Sequence, residues 1–258
     1  MSDEPGDAQL GLSPALELLW GFRERPRRGP KPGLSVERIV EQGIEIADSE
    51  GLGALSMGRV AKDLGFSTMS LYRYVATKAD LLLLMVNAAV DDPPDLLAEN
   101  GDDWRAGLEQ WSRANIGYLI RRPWIMQVAI TGPPVSPKQL AWMESGLAVL
   151  ARTPLTPDEQ LGVLQLLLVH SLGEARLAID LIAAEQAALE QAVPAPTMQT
   201  YGQVLRRLLD PALHPSLLAV VEDGVFDAST SYSDEDFSFG LDRVLDGIGV
   251  LIEERIER

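Results

Sequence analysis
Between Ser56 and Lys78 the chain gathers side chains that can hold a polyanion and almost none that can make or break a bond. Ser67, Thr68, Ser70, Tyr72 and Tyr74 bring hydroxyls, Arg73 and Lys78 bring cations, Met69 sits among them, and Arg59 lies a little upstream. Hydroxyl and guanidinium donors suit phosphate oxygens and base edges. Bond-making chemistry has less to draw on. The 258 residues contain 0 cysteines and 2 histidines, His170 and His214. That excludes a thiolate nucleophile, a disulfide and a three-histidine metal site. No Gly-x-Ser-x-Gly elbow, phosphate-binding loop, dinucleotide fingerprint or His-Glu-x-x-His occurs. The 38 acidic residues are scattered over polar faces, the usual solvated arrangement. An enzyme is therefore not expected, nor a cofactor or metal.

The donors need a frame, and the spacing supplies one. A short helix begins at Ser56, an N-cap, turns Met57, Val60, Ala61 and Leu64 inward, and stops at Gly65 after about two turns. A second begins at Ser67, another N-cap, and runs to about Val75. Ala61 is small enough for the two helices to approach closely, and Gly65 can take a positive φ at the turn, where a Cβ would clash. Leu71 points back toward Val60, Leu64 and Val75. This is helix-turn-helix geometry, in which the second helix lies in the DNA major groove. Its outer face is then Thr68, Ser70, Tyr72, Arg73 and Tyr74, where a purely structural helix more often shows Glu, Lys and Gln. The Ala-x3-Gly-x5-Leu pattern alone is weak, since most matches to it are chance. Lys78 adds to it. At the start of the next helix a cation gains nothing from the helix dipole, so its place makes more sense opposite DNA.

Flanking helices complete this head. One is capped by Ser35, with Val36, Ile39, Val40, Ile44 and Ala47 on its apolar stripe, and ends at Gly51 and Gly53. Another is capped by Thr77 and buries Leu81, Leu84, Met85 and Ala88 before Asp91-Asp92-Pro93-Pro94. Upstream, 10–20 is an apolar stretch of marginal helix length, and Pro26, Pro30 and Pro32 favour an extended arm over 23–33. That arm carries Arg23, Arg25, Arg27, Arg28 and Lys31. Net charge is −16 overall, but residues 1–81 hold 10 basic and 12 acidic residues, a net of only −2. The asymmetry suits a polyanion-facing N-terminal end on an acidic body, although a solvated basic tail would look the same.

The rest reads as long helices, so the expected class is all-α. Trp104–Arg121 is one. Pro123 begins a short one, Ser136-Pro137-Lys138-Gln139 is a capping box opening another, and Thr156-Pro157-Asp158-Glu159 opens a long one to about Gln191. Residues 197–209 and 234–258 are helical, with a polar loop over 224–233. Three regions follow: a flexible extension with a basic, proline-rich arm over 1–33, a helix-turn-helix domain over 34–92, and a helical domain over 93–258. The acidic first residues lack the apolar run of a signal peptide, and the richest apolar stretch, 162–173, is too short to span a bilayer, so a cytoplasmic protein is expected.

Leu55-Ser56-Met57-Gly58-Arg59-Val60-Ala61-Lys62-Asp63-Leu64-Gly65-Phe66-Ser67, with Leu71-Tyr72-Arg73-Tyr74-Val75 and Lys78-Ala79-Asp80-Leu81-Leu82, resembles the N-terminal domain of TetR-family transcriptional regulators. The resemblance covers residues 35 to about 90, and the branch it looks closest to contains the tetracycline repressors themselves. It implies a homodimeric regulator, usually a repressor, whose C-terminal domain binds a small effector and dimerises through a four-helix bundle. It places Thr68, Met69, Ser70, Tyr72 and Tyr74 where the family contacts DNA, Lys78 at a phosphate position and Arg59 near another. Met69 and Gly58 depart from the usual polar contacts.

On this reading two recognition helices meet a palindromic operator, with half-sites roughly 34–36 Å apart. Arg27 and Arg28 of the arm enter the minor groove or follow phosphates, unless the arm is only a basic tail. Trp104, Trp111, Trp124, Met126, Trp142, Met143 and His170 are candidates to line an effector pocket, with plain core as the competing explanation. Phe237, Leu241, Val244, Ile248, Leu251 and Ile252 are candidates for a dimer seam, unless they pack within their own chain. The alternative function is a helix-turn-helix protein that acts through protein partners and not through operator DNA.

Overall fold
A computed structural model describes residues 11–22, 33–191, 198–227 and 234–257. The described residues form α-helices and short 3₁₀ turns, with no strand among them. The all-α expectation therefore holds. The basic arm, including Arg27 and Arg28, and residues 228–233 of the polar loop lie outside the described residues.

The helices are α1 (Pro14–Leu19), α2 (Val36–Glu50), α3 (Met57–Asp63), α4 (Thr68–Tyr72), α5 (Lys78–Ala89), α6 (Leu96–Asn100), α7 (Trp104–Arg121), α8 (Pro137–Leu150), α9 (Pro157–Gln191), α10 (Met198–Leu208), α11 (Pro215–Glu222) and α12 (Asp234–Ile256). Contacts divide the chain into two compact units, Met1–Leu164 and Gln165–Arg258, and the division falls inside α9.

In the first unit the head is built on α2, α3, α4 and α5. Ser35, Ser56, Ser67 and Thr77 each accept the backbone N–H three residues on, as N-caps do. Ile39, Val60, Leu71, Leu81 and Met85 are fully buried and form its core. Ile46 is buried where Ile44 is only half-buried, and Ala89 is buried where the exposed Ala88 was expected, a slip of one or two positions on the helical wheel. Where the sequence suggests a flexible extension, residues 11–22 hold α1, which docks against α5 with Ala15 and Leu16 buried.

Beyond the head, α7 packs against α6 and α8. The Ser136 capping box is complete: its hydroxyl accepts from Gln139 N–H, and the Gln139 amide accepts from Ser136 N–H. In the second unit, Phe237, Leu241, Leu245, Ile248 and Ile252 form the buried stripe of α12. His170 of α9 stacks on Phe237, ring centroids 5.5 Å apart. A Cβ on Gly240 would meet that imidazole at 2.7 Å, so only glycine allows the approach. Arg206 of α10 grips Asp227 through both carboxylate oxygens, at 2.6 and 2.8 Å.

Candidate nucleic-acid interface
The turn between α3 and α4 follows from two backbone hydrogen bonds. Phe66 N–H donates to Ala61 carbonyl oxygen at 2.9 Å, and Gly65 N–H to Lys62 carbonyl oxygen at 3.1 Å. That is the Schellman pattern, which places its left-handed residue at Gly65, φ +76°. Beyond its own backbone neighbourhood no heavy atom lies within 4 Å of where a Gly65 Cβ would sit, so the clash expected of a Cβ there is with the local backbone and not with a packed neighbour. The glycine is needed for its backbone angle alone.

The turn delivers α4 to the surface with Leu71 as its single buried side chain. Met69 is 74% exposed and Tyr72 45%, and Arg73 is exposed at the C-cap. Thr68, Ser70 and Tyr74 are half-buried, Tyr74 against the head core. The Ser67 and Ser70 hydroxyls are 2.9 Å apart and hydrogen-bond each other, while Ser67 also caps the helix. Both are held in place by those bonds, and each hydroxyl keeps acceptor capacity. α4 is shorter than the expected run to Val75, because the chain turns into α5 there, although Val75 is buried as expected.

Lys78 opens α5, and its ammonium donates to Leu55 carbonyl oxygen at 2.8 Å. A lysine has three donors, so that bond aims the group and leaves two for an anion. Arg59 is engaged differently. Its guanidinium meets Glu50 at 2.6 and 2.9 Å and Asp63 at 2.7 Å. Those hydrogen bonds push Arg59 further up and hold Glu50 below its ordinary range. Arg59 therefore braces α2 to α3 with its charge already matched. An isolated reading of sequence position misses this, because Glu50 is nine residues away across a turn.

The candidate effector residues separate. Trp111 and Trp142 lie together, edge to face with centroids 6.0 Å apart, and Trp111 Nε1 donates to Trp142 carbonyl oxygen at 3.0 Å. Tyr118 joins them, 5.5 Å from Trp142, and donates to Asn115 Oδ1 at 3.3 Å. Burial, with the Asp91 carboxylate adding, pushes the Tyr118 phenol up to about 12. Ser112 Oγ is buried nearby on α7 without a hydrogen-bond partner among the described residues. Ser112, Asn115 and Tyr118 belong to no sequence motif, and the only mark they leave is polarity interrupting the apolar stripe of α7. Trp124 goes elsewhere: it is buried in the head core, and its indole donates to Asp48 at 2.5 Å. A core position explains it fully. Trp104, Met126 and Met143 are half-buried, and His170 belongs to the second unit.

The dimer candidates also separate. Phe237, Leu241, Ile248 and Ile252 are buried within their own chain, so they are not a face open to another. Val244 and Leu251 are half-buried. The faces left open are Leu166, Val169 and Leu177 on α9, and Phe239 and Val250 on α12. Leu166, Val169, Gly173 and Leu177 are spaced as one helical face, as are Phe239, Arg243, Gly247 and Val250.

Comparison with known proteins agrees with this geometry. The sequence model of the family described as "Tetracyclin repressor-like, C-terminal domain" matches residues 97–252. The HTH-type transcriptional repressor DrrR1 of Streptomyces coeruleorubidus is 37% identical over 246 residues, 95% of this chain and 88% of that one. An HTH-type transcriptional regulator of Saccharopolyspora erythraea is 33% identical over 130 residues, 50% of this chain and 55% of that one. Among solved structures, ActR of Streptomyces coelicolor in complex with actinorhodin superposes with a TM-score of 0.66 at 24% identity, covering 84% of this chain and 96% of ActR. A helix-turn-helix head with an outward recognition helix, a matching C-terminal family domain and a near full-length repressor relative lead to one conclusion: the chain is a DNA-binding transcriptional regulator that belongs to the TetR family.

Proposed function
We propose that the protein is an effector-responsive repressor that binds a palindromic operator as a homodimer. The observation that carries the DNA-reading role is α4 itself: one buried leucine holds it, while Met69, Tyr72 and Arg73 face outward beside an aimed Lys78. Tyr72, Arg73, Thr68 and Ser70 supply polar contacts, Met69 an apolar one, and Lys78 a phosphate contact. Arg27 and Arg28 remain candidates for the adjacent groove or its phosphates. Arg59 is left out of the contact set, since its partners already neutralise it.

A homodimer is supported by the exposed apolar residues that recur along one face of α9 and one face of α12. An effector is supported by the aromatic group on α7 and α8, where Trp142 meets both Trp111 and Tyr118, and by the buried Ser112 hydroxyl that α7 leaves without a partner among the described residues. The relative ActR has been crystallised with actinorhodin, which favours a small organic effector here too. Release follows if the effector prefers a dimer whose recognition helices are misplaced; only that differential affinity shifts the equilibrium.

Footprinting on the DNA beside the protein's own coding region tests the proposal. A protected inverted repeat with half-sites about 34–36 Å apart is expected. Protection that ignores sequence, or none at all, would contradict it.

A further inference from the structure
α1 buries Ala15 to 3% and Leu16 to 9%, and Ala15 belongs to the head's own core. Pro14, Ala15 and Leu18 line a cavity of about 70 Å³ together with Tyr72, Arg73 and Tyr74. α1 therefore abuts the end of the recognition helix and the turn into α5. At the other end of α1, Trp20 Nε1 donates to Val135 carbonyl oxygen at 2.9 Å, across 115 positions of sequence. Val135 directly precedes Ser136, the N-cap of α8. The start of α8 is tied to the head a second time, where Lys138 N–H donates to Asn87 at 3.1 Å and its ammonium pairs with Asp92.

α4 needs such support. It has five residues and one buried side chain, too little packing to fix the direction of Tyr72 and Arg73 by itself. Base readout demands placement to about 0.5 Å, whereas attraction to phosphates tolerates far more slack.

We propose that α1 is a positioning strap for the recognition helix: it closes one side of the turn after α4, and Trp20 anchors it to the segment that starts α8. Trp20 is then a positioning residue. It acts through α1 and α4 and has no DNA contact of its own. The strap also makes the aim of α4 depend on where α8 begins, a link that an isolated head would lack. This inference rests on α4 being the DNA-reading helix.

The test uses the full-length protein with its footprinted operator and a random duplex of equal length, each titrated over a series of salt concentrations. Trp20→Phe keeps an aromatic ring while removing the N–H donor and part of the indole. The expected result is a loss of about two- to tenfold in operator affinity, the worth of one net hydrogen bond. Affinity for the random duplex and the salt slope should stay at the parent values, which a general loss of head stability would not allow. A chain starting at Gly21 should show the same pattern with a larger loss. Operator affinity unchanged in Trp20→Phe and in the shortened chain overturns the strap, and so does an equal loss on both duplexes. A parent protein with no preference for its operator overturns the DNA-reading proposal as well, so the two failures are distinct.

Discussion
Lys78 and Arg59 are both cations beside the recognition helix, and their surroundings give them different work. Lys78 is aimed by a single carbonyl and keeps donors for a phosphate. Lys78→Ala should weaken binding to operator and random DNA alike and reduce the salt slope by about 1, read by titration across salt. Arg59 is held by two carboxylates, so Arg59→Met should leave the salt slope unchanged and lower the melting temperature. The pH dependence of that loss has a definite sign. Glu50 sits below its ordinary value of 4.5 because Arg59 donates to it. A depressed carboxylate contributes stability above its unfolded value and loses it as pH falls through the folded one. The melting gap between parent and Arg59→Met should be full at pH 7 and shrink below pH 4.5. A gap independent of pH would remove Glu50 from the account. The cation types were legible in the sequence, but their partners were not, because an ion pair across a turn depends on packing that residue spacing does not encode.

At the scale of the element, caps and glycines were the most legible features. Ser35, Ser56, Ser67, Thr77 and Ser136 all cap as their positions suggest, because an N-cap is a local interaction. Gly65→Ala should cost about 1–2 kcal/mol through its left-handed backbone alone, measured by urea unfolding. A cost near zero would mean that the turn relaxes. Leu71→Ala should cost about 2–5 kcal/mol, since it is fully buried and is the single anchor of α4. Short elements were legible only where caps and a turn glycine bracket them, as in α3 and α4. α6 and α11 leave no such mark and α1 reads as marginal, because so few residues give too little periodicity and their stability comes from docking.

For the whole molecule, helical periodicity gave the fold class but could not say which apolar stripe stays inside. α12 has two: Phe237, Leu241, Leu245, Ile248 and Ile252 are buried, while Phe239 and Val250 are open. Sequence favours the denser stripe as the seam, although the denser stripe is also the one a single chain buries first. Val169→Asp combined with Val250→Asp should give a folded monomer by light scattering and circular dichroism, while Phe237→Ala should lower stability without changing the mass. A dimer that survives both aspartates would rule out these faces. The direct test of the central claim is the operator affinity of a Tyr72→Ala, Lys78→Ala double variant, measured by gel retardation beside the parent. Loss of at least tenfold with an unchanged dimer and melting temperature is predicted, and retention equal to the parent would contradict α4 as the reading helix.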